Sequence, residues 1–176
     1  MKNIFIPTIE AMKSEGRPFK GVLYFGLMMT ANGVKVIEYN CRFGDPETQV
    51  VLPLLESDLL TIMQATTNGT LAECEVSFAS ESCACVIMAS AGYPEKYEKG
   101  YPITMDNSVV PYVYVAGAKR EGEALLTNGG RVLGVTAKAP SLKEALALAY
   151  ERVGLVHFDN QFYRRDIGQR ALKAGE

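Results

Sequence analysis

The stretch VKVIEYNCRFGDPETQVVLPLL, residues 34–55, places Glu38, Asn40, Arg42, Asp45 and Glu47 between two apolar runs. The first run has the texture of a strand and the second that of a helix. On a strand, residues two apart face one side, about 6–7 Å from each other. Glu38 and Asn40 therefore point together, with Val36 and Arg42 in the same set. Ile37 and Tyr39 fall on the opposite face, where they can pack. A carboxylate beside an amide oxygen is a hard-oxygen pair suited to Mg2+, which keeps several waters and takes further ligands from substrate phosphates. Taken alone, the E-x-N triplet describes a solvated strand end. The following residues change the reading. Gly44 permits a turn, Pro46 fixes a backbone angle, and Asp45 and Glu47 add carboxylates beside Arg42, whose rigid fork suits carboxylate or phosphate. Half-buried charges at such density are costly unless paired, so a cluster of this kind is retained for a site.

Outward from this loop, GVLYFGLMMT (21–30) and VKVIEYN (34–40) flank Ala31-Asn32-Gly33, and predict a hairpin around an Asn-Gly turn. Upstream, PTIEAMKSE (7–15) predicts a short helix with Pro7 in its first turn and Gly16 as its stop. Downstream, residues 47–57 and 57–69 read as two helical segments divided by Pro53, the second capped by Ser57 or Asp58 and ended by Gly69. From about residue 75 the texture changes. VSFAS, CACVIMAS, PYVYVAGAK, ALLTN and RVLGVTAKA are β-type runs between Gly-, Pro- and Asn-bearing turns. In SLKEALALAYERVGLV, Leu142, Ala145, Leu146, Ala149 and Val153 share one helical face, and Ser141 with Glu144 forms a capping box. The expected class is α+β: a hairpin-and-helix lobe over 1–74, then a β-rich lobe with a covering helix over 75–176.

The 176 residues are 48% apolar and 22% charged, ordinary for a globular chain. Eighteen basic and twenty acidic residues leave a formal charge of −2, which argues against nucleic acid or an anionic membrane as main partner. No apolar run reaches the ~18 residues of a membrane span. The start, MKNIFIPTIEAMKSEG, is broken by Pro7 and Glu10 and does not resemble a signal peptide, so a cytoplasmic location is expected. Cys83 and Cys85 share a strand face, and the only histidine, His157, is distant in sequence. Packed, reduced cysteines are expected rather than a zinc site. His157, flanked by apolar residues, is expected to be a hydrogen-bonded structural histidine, and Met28, Met29 and the other methionines to fill cores.

EYNCRFGDPETQ closely resembles the signature segment of the phosphoribosylamine–glycine ligase (glycinamide ribonucleotide synthetase) family, ATP-grasp enzymes of purine biosynthesis. GVLYFGLM before it, and AGYPEKYEKG, TNGGRVLGVTA and FYRRDIGQRAL after it, follow that family's order, so the resemblance covers nearly the whole chain. It implies that Glu38 and Asn40 bind the Mg2+ or Mn2+ that holds the ATP phosphates. It also implies the chemistry: the glycine carboxylate takes the γ-phosphoryl group, and the amine of phosphoribosylamine then displaces phosphate. Arg42 would stabilise the carboxylate or the acyl phosphate. Asp45 and Glu47 would orient the amine or hold the loop itself. In the second lobe, Asn128 and Gly129 would offer backbone N–H groups to an anion, or form a plain hairpin turn. One of Arg164 and Arg165 would reach the ribose phosphate, or an Arg–Asp ion pair would leave the other solvated. Implied partners are ATP, glycine, phosphoribosylamine and the family's N-terminal half.

One departure from the family is plain. Its N-terminal domain, glycine-rich ATP-covering loop, phosphate-binding lysines and adenine-holding segment have no counterpart in these residues. GGRVLG (129–134) lacks a following helix and a Lys-Ser/Thr, so it is no P-loop. The 176 residues by themselves are expected to lack turnover and to bare apolar surface over 7–15 and 20–40. Two rivals stand beside this expectation. RFGDPETQ argues against a different ATP-grasp carboxylate–amine ligase. A non-catalytic binding module that keeps the fold would tolerate Glu38→Ala.

Overall fold

The computed structural model describes residues 2–174. They fall into two compact units: Met1–Asp45 with Leu55–Phe78, and Pro46–Leu54 with Ala79–Glu176.

In the first unit, helix α1 (Phe5–Ser14) begins two residues before the expected 7–15. Phe5 is drawn in by the hairpin, its ring 4.3 Å from that of Phe25. Pro7 still sits in the first turn, where no N–H is needed, and Gly16 ends the helix with φ +72°. Strands β1 (Tyr24–Thr30) and β2 (Gly33–Asn40) pair antiparallel as a two-stranded sheet. At the turn, Gly33 takes the left-handed φ of +90°, while the Asn32 N–H donates to Thr30 Oγ1 at 3.2 Å. Gly26 pairs with Glu38 but Leu27 with Val36, so Ile37 is an extra residue and the strand is bulged there.

Residues 76–80, expected as a strand, form only an isolated bridge between Phe78 and Leu55. Helix α3 (Leu59–Asn68) is capped by Asp58, whose Oδ1 accepts from the Thr61 N–H at 2.7 Å, and it ends at Gly69, φ +79°. Hydrogen bonds from Thr61 hold the Asp58 carboxyl below its ordinary value. Among the described residues of this unit only Gly44 is buried. Met28 and Met29 are 52% and 78% exposed, which corrects the expectation that they fill a core. A lone hairpin has no second layer to bury both of its faces.

In the second unit, the expected helix at 47–57 shortens to α2 (Thr48–Val51) and a 3₁₀ turn over Leu52–Leu54, because Pro53 cannot donate to a longer ladder. Strands β3 (Ser82–Ser90) and β8 (Arg131–Ala139) form an antiparallel pair, edged by β5 (Val113–Val115) and β10 (Gln161–Phe162) in the order β10-β3-β8-β5. A second sheet runs β6 (Ala118–Glu121), β7 (Ala124–Thr127), β4 (Pro102–Met105), β9 (Val156–His157).

Helix α4 (Leu142–Val153) begins at the expected capping box: the Glu144 N–H donates to Ser141 Oγ, and the Ser141 N–H to Glu144 Oε2. Its buried Ala145, Leu146, Ala149 and Val153 join Val86, Met88, Leu133 and Val135 of the sheet in one core. Each fully buried Val or Leu contributes roughly 1.5–3 kcal/mol. His157 is not the packed residue its neighbours suggest. Val156 and Phe158 are buried, and strand alternation turns His157 outward, with Nε2 3.7 Å from Asp159 Oδ1. Helix α5 (Gln169–Ala174) ends the described chain.

Candidate functional site

The hairpin of the first unit has one face turned to α1. Phe25 and Tyr39, paired across the strands, meet edge to face at 5.3 Å, and Thr8 Oγ1 lies 3.4 Å from Tyr39 Oη. Strand alternation then turns Glu38 and Asn40 to the other face, together. Ile37 does not pack as expected. The bulge leaves it 61% exposed.

Asn40 Nδ2 donates to Glu38 Oε1 at 3.2 Å. That bond commits one amide N–H and one carboxylate oxygen, and leaves the Asn40 Oδ1 and the second Glu38 oxygen as acceptors. Both side chains are open to solvent in part or whole. Among the described residues no three acidic, histidine or cysteine groups cluster as a closed cage. Two adjacent oxygen ligands fit a Mg2+ or Mn2+ that draws its remaining ligands from water and phosphate.

Arg42 and Asp45 belong to the same unit as this pair, and Glu47 to the other. Arg42 is exposed, its Nη1 donating to the Phe43 carbonyl at 3.1 Å. It lines a cleft of about 440 Å³ with Lys20, Phe43, Met63 and Thr67. Lys20 is committed there, its Nζ donating to the Thr67 carbonyl at 2.9 Å. Glu47 leads into α2, and its carbonyl accepts from the Val50 and Val51 N–H groups.

In the second unit the Asn128–Arg131 turn is locked from behind. The Asn128 N–H, expected to be available to an anion, donates to the Gly117 carbonyl at 2.7 Å. The Gly129 and Gly130 carbonyls accept from Ser90, which is 1% exposed: one from its Oγ at 3.0 Å, the other from its N–H at 2.8 Å. A Cβ on Gly129 would lie 2.8 Å from Gly117 Cα, and one on Gly130 would run into the Tyr93 ring. These glycines answer to close packing.

Arg164 meets Asp166 as a fork, Nε to Oδ1 at 2.9 Å and Nη2 to Oδ2 at 2.8 Å. The pairing raises the Arg164 pKa and lowers that of Asp166. Arg165 lies over the Tyr163 ring at 5.2 Å. Arg131 and Arg164 share a cavity of about 270 Å³ with Tyr93 and Tyr163, floored in part by Cys85 and Ile87. Burial pushes the Cys83 thiol up, against its action as a nucleophile near neutral pH.

Sequence reasoning overlooked Gly26, Ser90 and Tyr93. An isolated glycine inside the run YFGLMMT was the available signal for Gly26, because such a glycine marks a bulge or a close approach.

Two family models match the chain. The phosphoribosylglycinamide synthetase ATP-grasp (A) domain matches residues 1–48, and the C domain of the same synthetase matches residues 83–170. The phosphoribosylamine–glycine ligase of Halalkalibacterium halodurans is 48% identical over an alignment of 176 positions that covers 98% of this chain and 40% of the relative. That of Chlorobaculum tepidum is 46% identical over an alignment of 175 positions that covers 97% of this chain and 41% of the relative. The chain thus spans about 40% of the length of these curated relatives. The crystal structure of the phosphoribosylamine–glycine ligase from Thermotoga maritima superposes with a TM-score of 0.83 at 33% identity, covering 94% of this chain and 41% of that one.

Proposed function

Because the chain belongs to the phosphoribosylglycinamide synthetase family, we propose that it forms part of an ATP-dependent ligase joining glycine to phosphoribosylamine in cytoplasmic purine biosynthesis. Residues 1–74 are the closing part of its ATP-grasp module, and 75–176 its C-terminal domain. The observation that carries this is the shared, solvent-facing direction of Glu38 and Asn40, tied by a 3.2 Å hydrogen bond at the end of β2.

In the reaction, the glycine carboxylate takes the γ-phosphoryl group of ATP to give glycyl phosphate and ADP. The phosphoribosylamine nitrogen then attacks the carbonyl carbon, phosphate leaves, and the nitrogen gives up a proton. A divalent cation, when bound, neutralises the phosphate charge that phosphoryl transfer must overcome. Glu38 and Asn40 hold that cation through oxygens of one face. Arg42, with most of its guanidinium open to solvent, meets the glycine carboxylate or its phosphate. Asp45 and Glu47 orient the amine or brace the loop. Arg164 takes the ribose phosphate, and the Asp166 partner keeps the Arg164 fork in a fixed direction; the Asn128 N–H, engaged by the Gly117 carbonyl, has no part in it.

The test joins this chain to the remaining part of the Halalkalibacterium halodurans relative and follows ADP release. Release should depend on both glycine and phosphoribosylamine, and Glu38→Ala should lower kcat/KM by about two orders of magnitude. Full turnover by Glu38→Ala would favour a non-catalytic module. A preference for another amine would favour a different carboxylate–amine ligase.

A further inference from the structure

Gly26 sits opposite Glu38 in the register of β1 and β2. A Cβ on Gly26 would lie 2.8 Å from Glu38 Cγ and 3.6 Å from the Glu38 backbone N and O. The Glu38 side chain therefore lies across the strand, over the position a partner side chain would fill. Glycine is often needed in strands because the backbone takes a left-handed φ. Gly26 is not among the positive-φ glycines of the described chain, so its backbone places no such demand. What the missing Cβ makes room for is the acid itself.

The bulge adds to this. Ile37, the extra residue, directly precedes Glu38, and a bulge re-aims the side chains beside it. Two features on the strands then fix where the carboxylate goes: the open space over Gly26 and the 3.2 Å bond from Asn40 Nδ2. Mg2+ demands near-ideal octahedral geometry, so a ligand pair shifted by a methyl group's width would lose much of its affinity.

We propose that Gly26 is a positioning residue for the cation site, its bare Cα letting the Glu38 carboxylate lie beside Asn40. This rests on the reading of Glu38 and Asn40 as cation ligands. Gly26→Ala moves the acid off that line without replacing either ligand.

The test uses the 176-residue chain, with Mn2+ alone as the probe and no turnover. Paramagnetic broadening of the Asn40 side-chain amide signal reports occupancy, and amide hydrogen exchange in β1 and β2 reports hairpin stability. In Gly26→Ala, half-broadening should need at least about fivefold more Mn2+, given the strictness of the site's geometry. The same substitution should speed hairpin exchange in the natural background but not beside Glu38→Ala, which has no Cγ to strike. Equal acceleration in both backgrounds would assign the glycine to the backbone and overturn the proposal, as would unchanged Mn2+ dependence in Gly26→Ala. If Glu38→Ala itself broadens at the natural Mn2+ concentration, the cation reading falls instead, a result visible apart from the exchange data.

Discussion

Arg164 gives two parallel N–H bonds to the two oxygens of Asp166, and both groups stand in solvent. The folded Asp166 pKa is depressed, chiefly by that hydrogen bonding. Its contribution to stability is therefore complete above the ordinary aspartate value, about 3.9, and is lost as pH falls through the lower folded value. A carbon-detected titration should find the Asp166 midpoint below that ordinary value. Arg164→Gln should bring it back up. A midpoint that ignores this change would mean the fork does not persist in solution. At this scale the sequence was legible where one period governs, as for Glu38 and Asn40 two residues apart on a strand. It was illegible where the cause sits on another strand. Nothing in EYN reveals that Gly26 lies beneath the acid, because that needs the register across the turn.

The elements with strong local signals formed as read. Apolar β-type runs around the Ala-Asn-Gly turn marked β1 and β2, and the apolar face with its capping box marked α4. Ser141→Ala removes the acceptor for the Glu144 N–H and should destabilise the second unit by about 1 kcal/mol. Chemical denaturation of that unit, followed through its own probes, measures the loss, and no change would leave the cap decorative. Short elements escaped notice. β4, β9 and β10 have four, two and two residues, too few for a period to register, and they exist because β7, β4 and β3 respectively offer them edges. The opposite error came at residues 76–80. They have the β-prone composition of a strand but find only one bridging partner, at Leu55.

Across the whole molecule, burial is divided unequally. Every buried hydrophobic residue of the described chain, from Ala84 to Phe158, lies in the second unit. The first carries exposed Ile9, Met12, Leu27, Met29, Val34 and Ile37 instead, the bare apolar surface expected over 7–15 and 20–40. Local opening is easiest where few apolar side chains are buried. Native-state hydrogen exchange should therefore find the β1 and β2 amides opening far more readily than those of β3 and β8. Equal protection in the two strand pairs would show that some other interaction steadies the first unit. The composition announced a globular chain with ample apolar residues, but not that all the buried ones would fall in one part. Nor can a single cut along the chain express that residues 46–54 fold with the second unit while 55–78 return to the first.

The coreless first unit has a consequence for how this chain tolerates change. Where side chains are not locked in a packed interior, most replacements perturb folding little, and surface changes are typically close to neutral. A mutational scan scored by the folding of these 176 residues alone would therefore read residues 2–45 as permissive, bare apolar positions included. In the second unit the same scan would register volume and shape.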